Sequence, residues 1–399
     1  MARKPKSAKA KAEKAPKAPK AKKPKKVAAV AGETIADVVV DLEEKHGPNL
    51  LIPASKIGSL RRHPTGIFAL DLALAGGFAQ GRYSLIWGRK GGGKTTLLLK
   101  LVAEYQRRCG LCLRIDERCA CKGGPRKPRI WWGDIERAWD SDWAVACGVQ
   151  LIHPDGDDWV HITRPDYAEQ AIDIAHAVMR VPEVGIGVID SLAQMNPTAE
   201  VEESAMQQFQ ALKARTISRL LTKVSSALNQ RGRTCEIAPS FFCINQMREK
   251  LSAGRTIEIR PGGHYQTFAA STVLRIRPRV GEQTAAYEWE TEKPKELTAP
   301  SRVVTAFLVE ESKVSPPRIH GEYAMFLRGE RQGQTDDLGT VIEQAYRYGL
   351  IPRDGTKIPL HDQTFGTREE LSAHWLQNPA DFATAREQVI ALANGPARV

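Results

Sequence analysis

Between residues 83 and 245 the chain repeats one pattern: an apolar run of strand length, a polar break, then an apolar stripe at helical spacing. Tyr83–Trp87, Arg129–Asp134, Gly185–Asp190 and Ser240–Asn245 read as buried strands, and Thr95–Arg108, Tyr167–Met179 and Met206–Asn229 as helices. Strands and helices in turn predict a mainly parallel α/β sheet flanked by helices, which places ligands at the carboxyl ends of its strands. The polar residues ending these runs, Asp134, Asp190 and Asn245 among them, therefore share one rim. Upstream, Thr34–Lys45 reads as an amphipathic helix with Ile35, Val38, Val39 and Leu42 near one stripe, stopped by Gly47-Pro48-Asn49. Residues 57–70 read as a short strand, a turn and a helix start.

Composition adds a division of charge. The first 26 residues hold eleven lysines, one arginine and one glutamate, nearly the whole net charge of +12. Four prolines break any long helix there, and nothing is available to bury, so a disordered tail is expected over residues 1–31. A polycation of this kind holds nucleic-acid phosphates by counterion release; a solubilising tail or an address signal is the alternative. No run of 18 apolar residues occurs, so no transmembrane helix is expected, and the basic start lacks the apolar stretch of a secretory signal. Seven cysteines without an export signal point to a reducing compartment rather than a disulfide framework.

The chemistry concentrates at Gly88-Arg89-Lys90-Gly91-Gly92-Gly93-Lys94-Thr95-Thr96, which fits the phosphate-binding loop G-x-x-x-x-G-K-[ST] between a strand and a helix. Glycines let backbone N–H groups converge on phosphates, and the helix N-terminus adds partial positive charge. Lys94 would reach the β- and γ-phosphates of ATP, and Thr95 would hold Mg²⁺. Asp190 ends an apolar strand, where a second Mg²⁺ ligand is needed; a helix N-cap is its plainer role. Glu136 is the candidate to orient and deprotonate the attacking water, unless it merely pairs with Arg137. Gln246 is placed to sense the γ-phosphate through its amide, or else bonds the sheet edge.

Together these residues resemble the bacterial RecA recombinases, from about residue 36 to 393. The phosphate loop, Asp134-x-Glu136-x-Ala138-x-Asp140, Asp190-Ser191-Leu192-Ala193, Asn196-Pro197-x-Ala199-Glu200, Ile244-Asn245-Gln246-x-Arg248 and Gly262-Gly263 follow in the family's order. The resemblance implies a RecA-type P-loop ATPase core that forms helical filaments on single-stranded DNA, pairs it with duplex DNA and hydrolyses ATP with Mg²⁺. It implies Glu136 as the catalytic glutamate, Lys94 and Thr95 as nucleotide ligands, Asp140 and Trp143 at the adenine, and Gln246 as the link from γ-phosphate to DNA. DNA loops are implied at about 200–210 and 247–267. The second carries Arg248, Lys250, Arg255 and Arg260, a Leu251 wedge and the phosphate-facing Gly262 and Gly263, with Ser218 as a further phosphate contact. Residues 32–70 match an N-terminal oligomerisation segment, 71–330 the core, and 331–399 a small α+β C-terminal domain that contacts duplex DNA. Phe268 matches an interface residue, and a cytoplasmic, nucleoid-associated protein of a bacterium or phage is implied.

Departures from the family limit the transfer. Thr222 stands at a phosphate-binding arginine, and of two lysines expected to reach the neighbour's nucleotide only Lys313 is present, Glu311 replacing the other. Residues 109–128 are an insertion containing Cys109, Cys112, Cys119 and Cys121. Four thiolates within thirteen residues can hold a tetrahedral Zn²⁺, although C-x₂-C-x₆-C-x-C is not a standard ribbon spacing; four free cysteines are the alternative. A ring-forming RecA-fold repair ATPase or helicase, and an ATP-binding DNA scaffold without turnover, are the rival readings of the whole.

Overall fold

The computed structural model describes residues 34–199, 210–252, 255–279, 287–288, 302–352, 357–360 and 363–394. The basic tail and the first DNA loop, apart from Gln210, lie outside the described residues.

Met1–Leu51 forms one unit and Ile52–Val399 another. In the first, helix α1 (Ile35–His46) starts at a reciprocal cap: Asp37 N–H donates to Thr34 Oγ1 at 3.3 Å, and Thr34 N–H donates to Asp37 Oδ2 at 2.9 Å. No residue of α1 is buried; Ile35 is 75% exposed, and Val38, Val40 and Leu42 are also exposed.

The second unit is organised on a nine-stranded sheet. Its central strands β3 (Tyr83–Gly88), β4 (Arg129–Asp134), β5 (Val160–Thr163), β6 (Val184–Asp190), β7 (Ser240–Gln246) and β10 (Thr272–Pro278) run parallel in the order β10-β3-β7-β6-β4-β5. Strand β12 (Arg302–Ser312) joins β10 antiparallel, and β11 (Tyr287–Glu288) and β13 (Ile319–Phe326) both pair antiparallel with β12. The parallel expectation thus holds for the six strands that carry the phosphate loop and the carboxylates. The other three form an antiparallel extension, where much of β12 and β13 alternates more and less buried positions.

Period-two alternation sorts the strand side chains onto two faces. Ile86, Ile130, Trp132, Phe242 and Ile244 pack with helix α3 (Lys94–Gln106) through Leu97, Leu98, Leu101 and Val102. Leu85, Trp87, Trp131, Phe241 and Cys243 pack with α5 (Ala168–Val178) and the long helix Gln210–Thr234, through Ala171, Ile172, Ile217, Leu220, Leu221 and Val224. The long helix runs five residues past the expected Asn229, because buried Arg231 donates to the carbonyls of Val184 and Pro182 and anchors the last turn.

A third cluster joins Val341, Ile342, Leu371, Trp375 and Val389 of the C-terminal helices with Phe68. Helix α2 (Phe68–Ala73) and Ile67 are buried with the core.

Candidate nucleotide and DNA site

The phosphate loop springs from β3 at Gly88. Its φ of +154° and its closeness to β10 both require glycine: an added Cβ would lie 1.8 Å from the Ile276 carbonyl oxygen. Beyond it the loop opens onto a cavity of about 350 Å³ lined by Lys90–Thr96, Glu136, Trp143, Asp190, Gln246 and residues of β12 and β13. A cavity of about 670 Å³ elsewhere, between the antiparallel strands and the helix Asp337–Tyr348, mixes charges of both signs and holds none of the phosphate-loop residues.

Lys94 is buried, and its Nζ donates to the carbonyls of Arg89 at 2.7 Å and Gly88 at 3.2 Å. Burial lowers its pKa, while Asp190 and Glu136 pull the other way. Thr95 Oγ1 donates to Asp190 Oδ2 at 2.7 Å. Asp190 is therefore bonded to the loop rather than capping a helix, and burial pushes its carboxyl up to about 7, with Glu136 and Asp134 adding to the rise. A hydroxyl and a carboxylate so paired, beside a lysine and open glycine N–H groups, form the donor set that suits Mg²⁺ on a nucleotide.

Glu136 Oε1 accepts from Gln246 Nε2 at 2.6 Å and from the Ser191 hydroxyl. Its alternative partner, Arg137, pairs instead with Asp166 at 2.9 Å. Trp143 lines the cavity and donates its indole N–H to Thr96 Oγ1 at 3.2 Å. Asp140 caps the helix Ser141–Ala146, accepting from the N–H groups of Asp142 and Trp143.

A family model for the RecA N-terminal domain matches residues 34–124 and 126–314. The chain belongs to the RecA family. Protein RecA of Chloroflexus aurantiacus is 29% identical over 365 residues, 90% of each chain. Protein RecA of Cutibacterium acnes is 29% identical over 362 residues, covering 90% of this chain and 91% of the relative. Protein RecA of Rubrobacter xylanophilus is 32% identical over 317 residues, 78% of each.

The residues singled out by the RecA resemblance beyond the cavity divide clearly. Strand β7 leads straight into the second loop, which forms a hairpin of β8 (Arg248–Ser252) and β9 (Arg255–Ile259). The hairpin's entry is bonded to the phosphate loop, with Met247 N–H donating to the Gly88 carbonyl at 3.0 Å. Arg89 of the phosphate loop also pairs with Glu258 of β9 at 2.9 Å. Arg248 is exposed; the side chains of Lys250, Leu251 and Arg255 lie outside the described residues. Arg260 stacks on Trp87, 4.5 Å from the ring centroid, and pairs with Glu310 at 3.2 Å.

Gly262 and Gly263 both adopt left-handed φ values beside the long helix, where an added Cβ on Gly262 would strike Ile217. Ser218 Oγ donates to its own helix backbone at Ala214. Lys313 does not line the cavity: its Nζ donates to the carbonyl of Phe268, whose ring is 75% exposed.

Three supporting groups were given no supporting role from sequence, although Asp134 and Ser191 stand in its motifs. Buried Asp134 accepts from the N–H groups of Ala138 and Trp139 and pairs with Arg164, which fixes the turn presenting Glu136. Ser191 holds the same acid. Gln266, fully buried, accepts from the Asn245 amide at 2.7 Å and donates to the Pro261 and Gly263 carbonyls, tying β7 to the glycine turn. Each lies in a recognisable stretch, but each also has a partner distant in sequence (Arg164, Glu136 and Asn245 in turn), and no local signal marks that bond.

Proposed function

We propose that this protein is an ATP-dependent DNA recombinase that coats single-stranded DNA as a helical filament and pairs it with a homologous duplex. The observation that carries the reading is the 2.6 Å bond between Gln246 and Glu136. It joins the acid of the nucleotide site to the residue just before the DNA hairpin, so a change at the γ-phosphate and a change in the DNA loop share one contact.

In this reading Lys94 and the loop N–H groups bind the phosphates of ATP, while Thr95 and Asp190 hold Mg²⁺. When bound by these residues, Mg²⁺ would supply neutralising charge to the transferring phosphate. Glu136, steadied by Ser191, accepts a proton from the attacking water. Trp143 stacks on the adenine and Asp140 orients its helix there. Lys313 reaches the neighbouring subunit's nucleotide. Arg248, Lys250, Arg255, Arg260, Ser218 and the N–H groups of Gly262 and Gly263 take DNA phosphates, and Leu251 separates base triplets.

The uncovered apolar side chains of α1 and the exposed Phe268 supply the subunit contacts. Residues 331–399, whose apolar cluster also takes in Phe68, form a small domain that approaches duplex DNA, and the basic tail raises local DNA concentration. Such a protein works in the cytoplasm on the nucleoid. Among the described residues no helix is long and apolar enough to cross a membrane.

The test is DNA-stimulated ATPase and strand exchange for the wild type and Glu136→Gln. Stimulated turnover and strand exchange in the wild type, with turnover lost in the variant, are expected; equal and negligible rates would leave an ATP-binding scaffold. Electron microscopy with single-stranded DNA and ATP should show open filaments, and closed rings would overturn the filament.

A further inference from the structure

The insertion between α3 and β4 folds with almost nothing to bury: from residue 111 to residue 127 only Leu113 is buried. Yet its four cysteines converge. Their sulfurs all lie within 4.8 Å of one another, with Cys109 to Cys121 at 3.8 Å and Cys112 to Cys119 at 3.7 Å. A tetrahedron with Zn–S bonds of about 2.3 Å has edges of about 3.8 Å, whereas a disulfide needs about 2.05 Å. These two separations match metal-site edges and are far too long for bonded sulfur.

The surroundings suit thiolates. Arg126 N–H donates to Cys109 Sγ at 3.2 Å, and Cys121 N–H to Cys119 Sγ at 3.5 Å. Such N–H···S bonds orient and stabilise ligand sulfurs. The stretch also carries Arg114, Arg118, Lys122, Arg126 and Lys127 against Asp116 and Glu117, a positive balance that suits a doubly negative tetrathiolate zinc centre. Gly110 packs so closely on Pro128 that a Cβ would lie 2.6 Å from its ring, and Gly110 N–H donates to the Arg126 carbonyl at 2.7 Å. Entry and exit of the insertion are thereby brought side by side. Three of the four cysteines are partly exposed, which leaves a path for metal entry.

We propose that Cys109, Cys112, Cys119 and Cys121 bind one Zn²⁺ as a closed structural site that fastens the end of the phosphate-loop helix to the start of the Glu136 strand. Four soft sulfur ligands in a closed tetrahedron favour zinc and leave no open position for catalysis. Because the segment lacks a core, metal binding supplies its folding energy. Lys127, donating to the Gln106 carbonyl and paired with Asp116, and Gln80, donating to the Gly110 carbonyl at 3.1 Å, carry the fastening into the core.

The test uses the full chain. Elemental analysis of purified protein should give one zinc per chain, retained in Cys235→Ser, whose cysteine lies outside the cluster, and lost in the double variant Cys112→Ser, Cys119→Ser. Exchange of the wild-type metal for Co²⁺ should yield the intense thiolate charge-transfer and tetrahedral ligand-field bands of a Co–S₄ centre, which keeps the test open if the double variant fails to fold. Stripping the zinc should speed tryptic cleavage after Arg114, Arg118 and Lys122 relative to the loaded protein. Protein purified folded without metal that takes up neither Zn²⁺ nor Co²⁺ when these are added would overturn the site, as would two disulfides found by mass spectrometry. Metal content is read without ATPase or DNA, so its failure and that of the recombinase reading are distinguishable.

Discussion

The two ends of helix α3 are built on opposite principles. At its N-terminus, Lys94, Thr95, Asp190, Glu136 and Gln246 come from several strands and loops of one buried sheet, and all but Lys94 are held by a partner distant in sequence. Beyond its C-terminus, four cysteines come from one short stretch and are held mainly by one another and by neighbouring backbone. The fold positions the first site and would keep it shaped without a ligand. The second is local and nearly coreless, so its ligand must do the positioning. The difference predicts which site tolerates an empty state.

The sharpest way to break this contrast is to remove the metal. Hydrogen exchange should then show residues 109–128 losing protection outright, since site-binding energy is the folding energy of such segments, while residues 83–96 keep theirs. Equal loss at both ends would mean that the sheet does not hold the nucleotide site by itself.

Next in size, Glu136→Gln should lower ATP turnover by about 10²- to 10⁴-fold, the usual contribution of a general base. Nucleotide affinity and thermal stability should change little, as measured by fluorescence titration and melting.

The pH response of the buried carboxyl follows in scale. Burial raises Asp190 to about 7 in the unliganded protein, so below that pH a proton occupies the oxygen that Mg²⁺ requires. Affinity for Mg²⁺-nucleotide should fall by about tenfold per unit as pH drops below about 7, and level off above it. The same shift works the other way on the unliganded fold: its contribution to stability is greatest at low pH and declines as pH rises from about 4 to about 7. Calorimetry with and without Mg²⁺ checks both signs.

Smallest of all, Trp143→Ala should weaken nucleotide binding by about 1 kcal/mol, roughly fivefold, if the indole contributes stacking. Its hydrogen bond to Thr96 can be separated from that effect with Trp143→Phe, which should retain most of the affinity.

Much of the nucleotide site was legible because its parts fall at strand ends and in a contiguous loop, where apolar periodicity and glycine spacing speak locally. Strands β3, β4, β6 and β7 appear within a residue or so of expectation. The thiol cluster was visible as cysteines, but their convergence depends on a backbone path that spacing alone does not reveal. The antiparallel extension was not legible, since β12 and β13 are half-buried and carry no motif. Asp134, Ser191 and Gln266 escaped for another reason: a hydrogen-bond partner across a turn or crossover leaves no periodic trace. Arg260 is the converse case. Its charge suggested an open cation, whereas its place on Trp87 beside Glu310 can be read only in three dimensions.

The Gly88 carbonyl is shared between two elements: it ends the phosphate-loop strand and accepts the N–H of Met247, while Arg89 beside it grips Glu258. In evolutionary terms, on the proposed function, the loop that selects the fuel and the hairpin that selects the polymer are not separate modules. A lineage that rewrites one inherits altered geometry in the other, so grafting a foreign hairpin onto this ATPase calls for replacement of its phosphate loop as well.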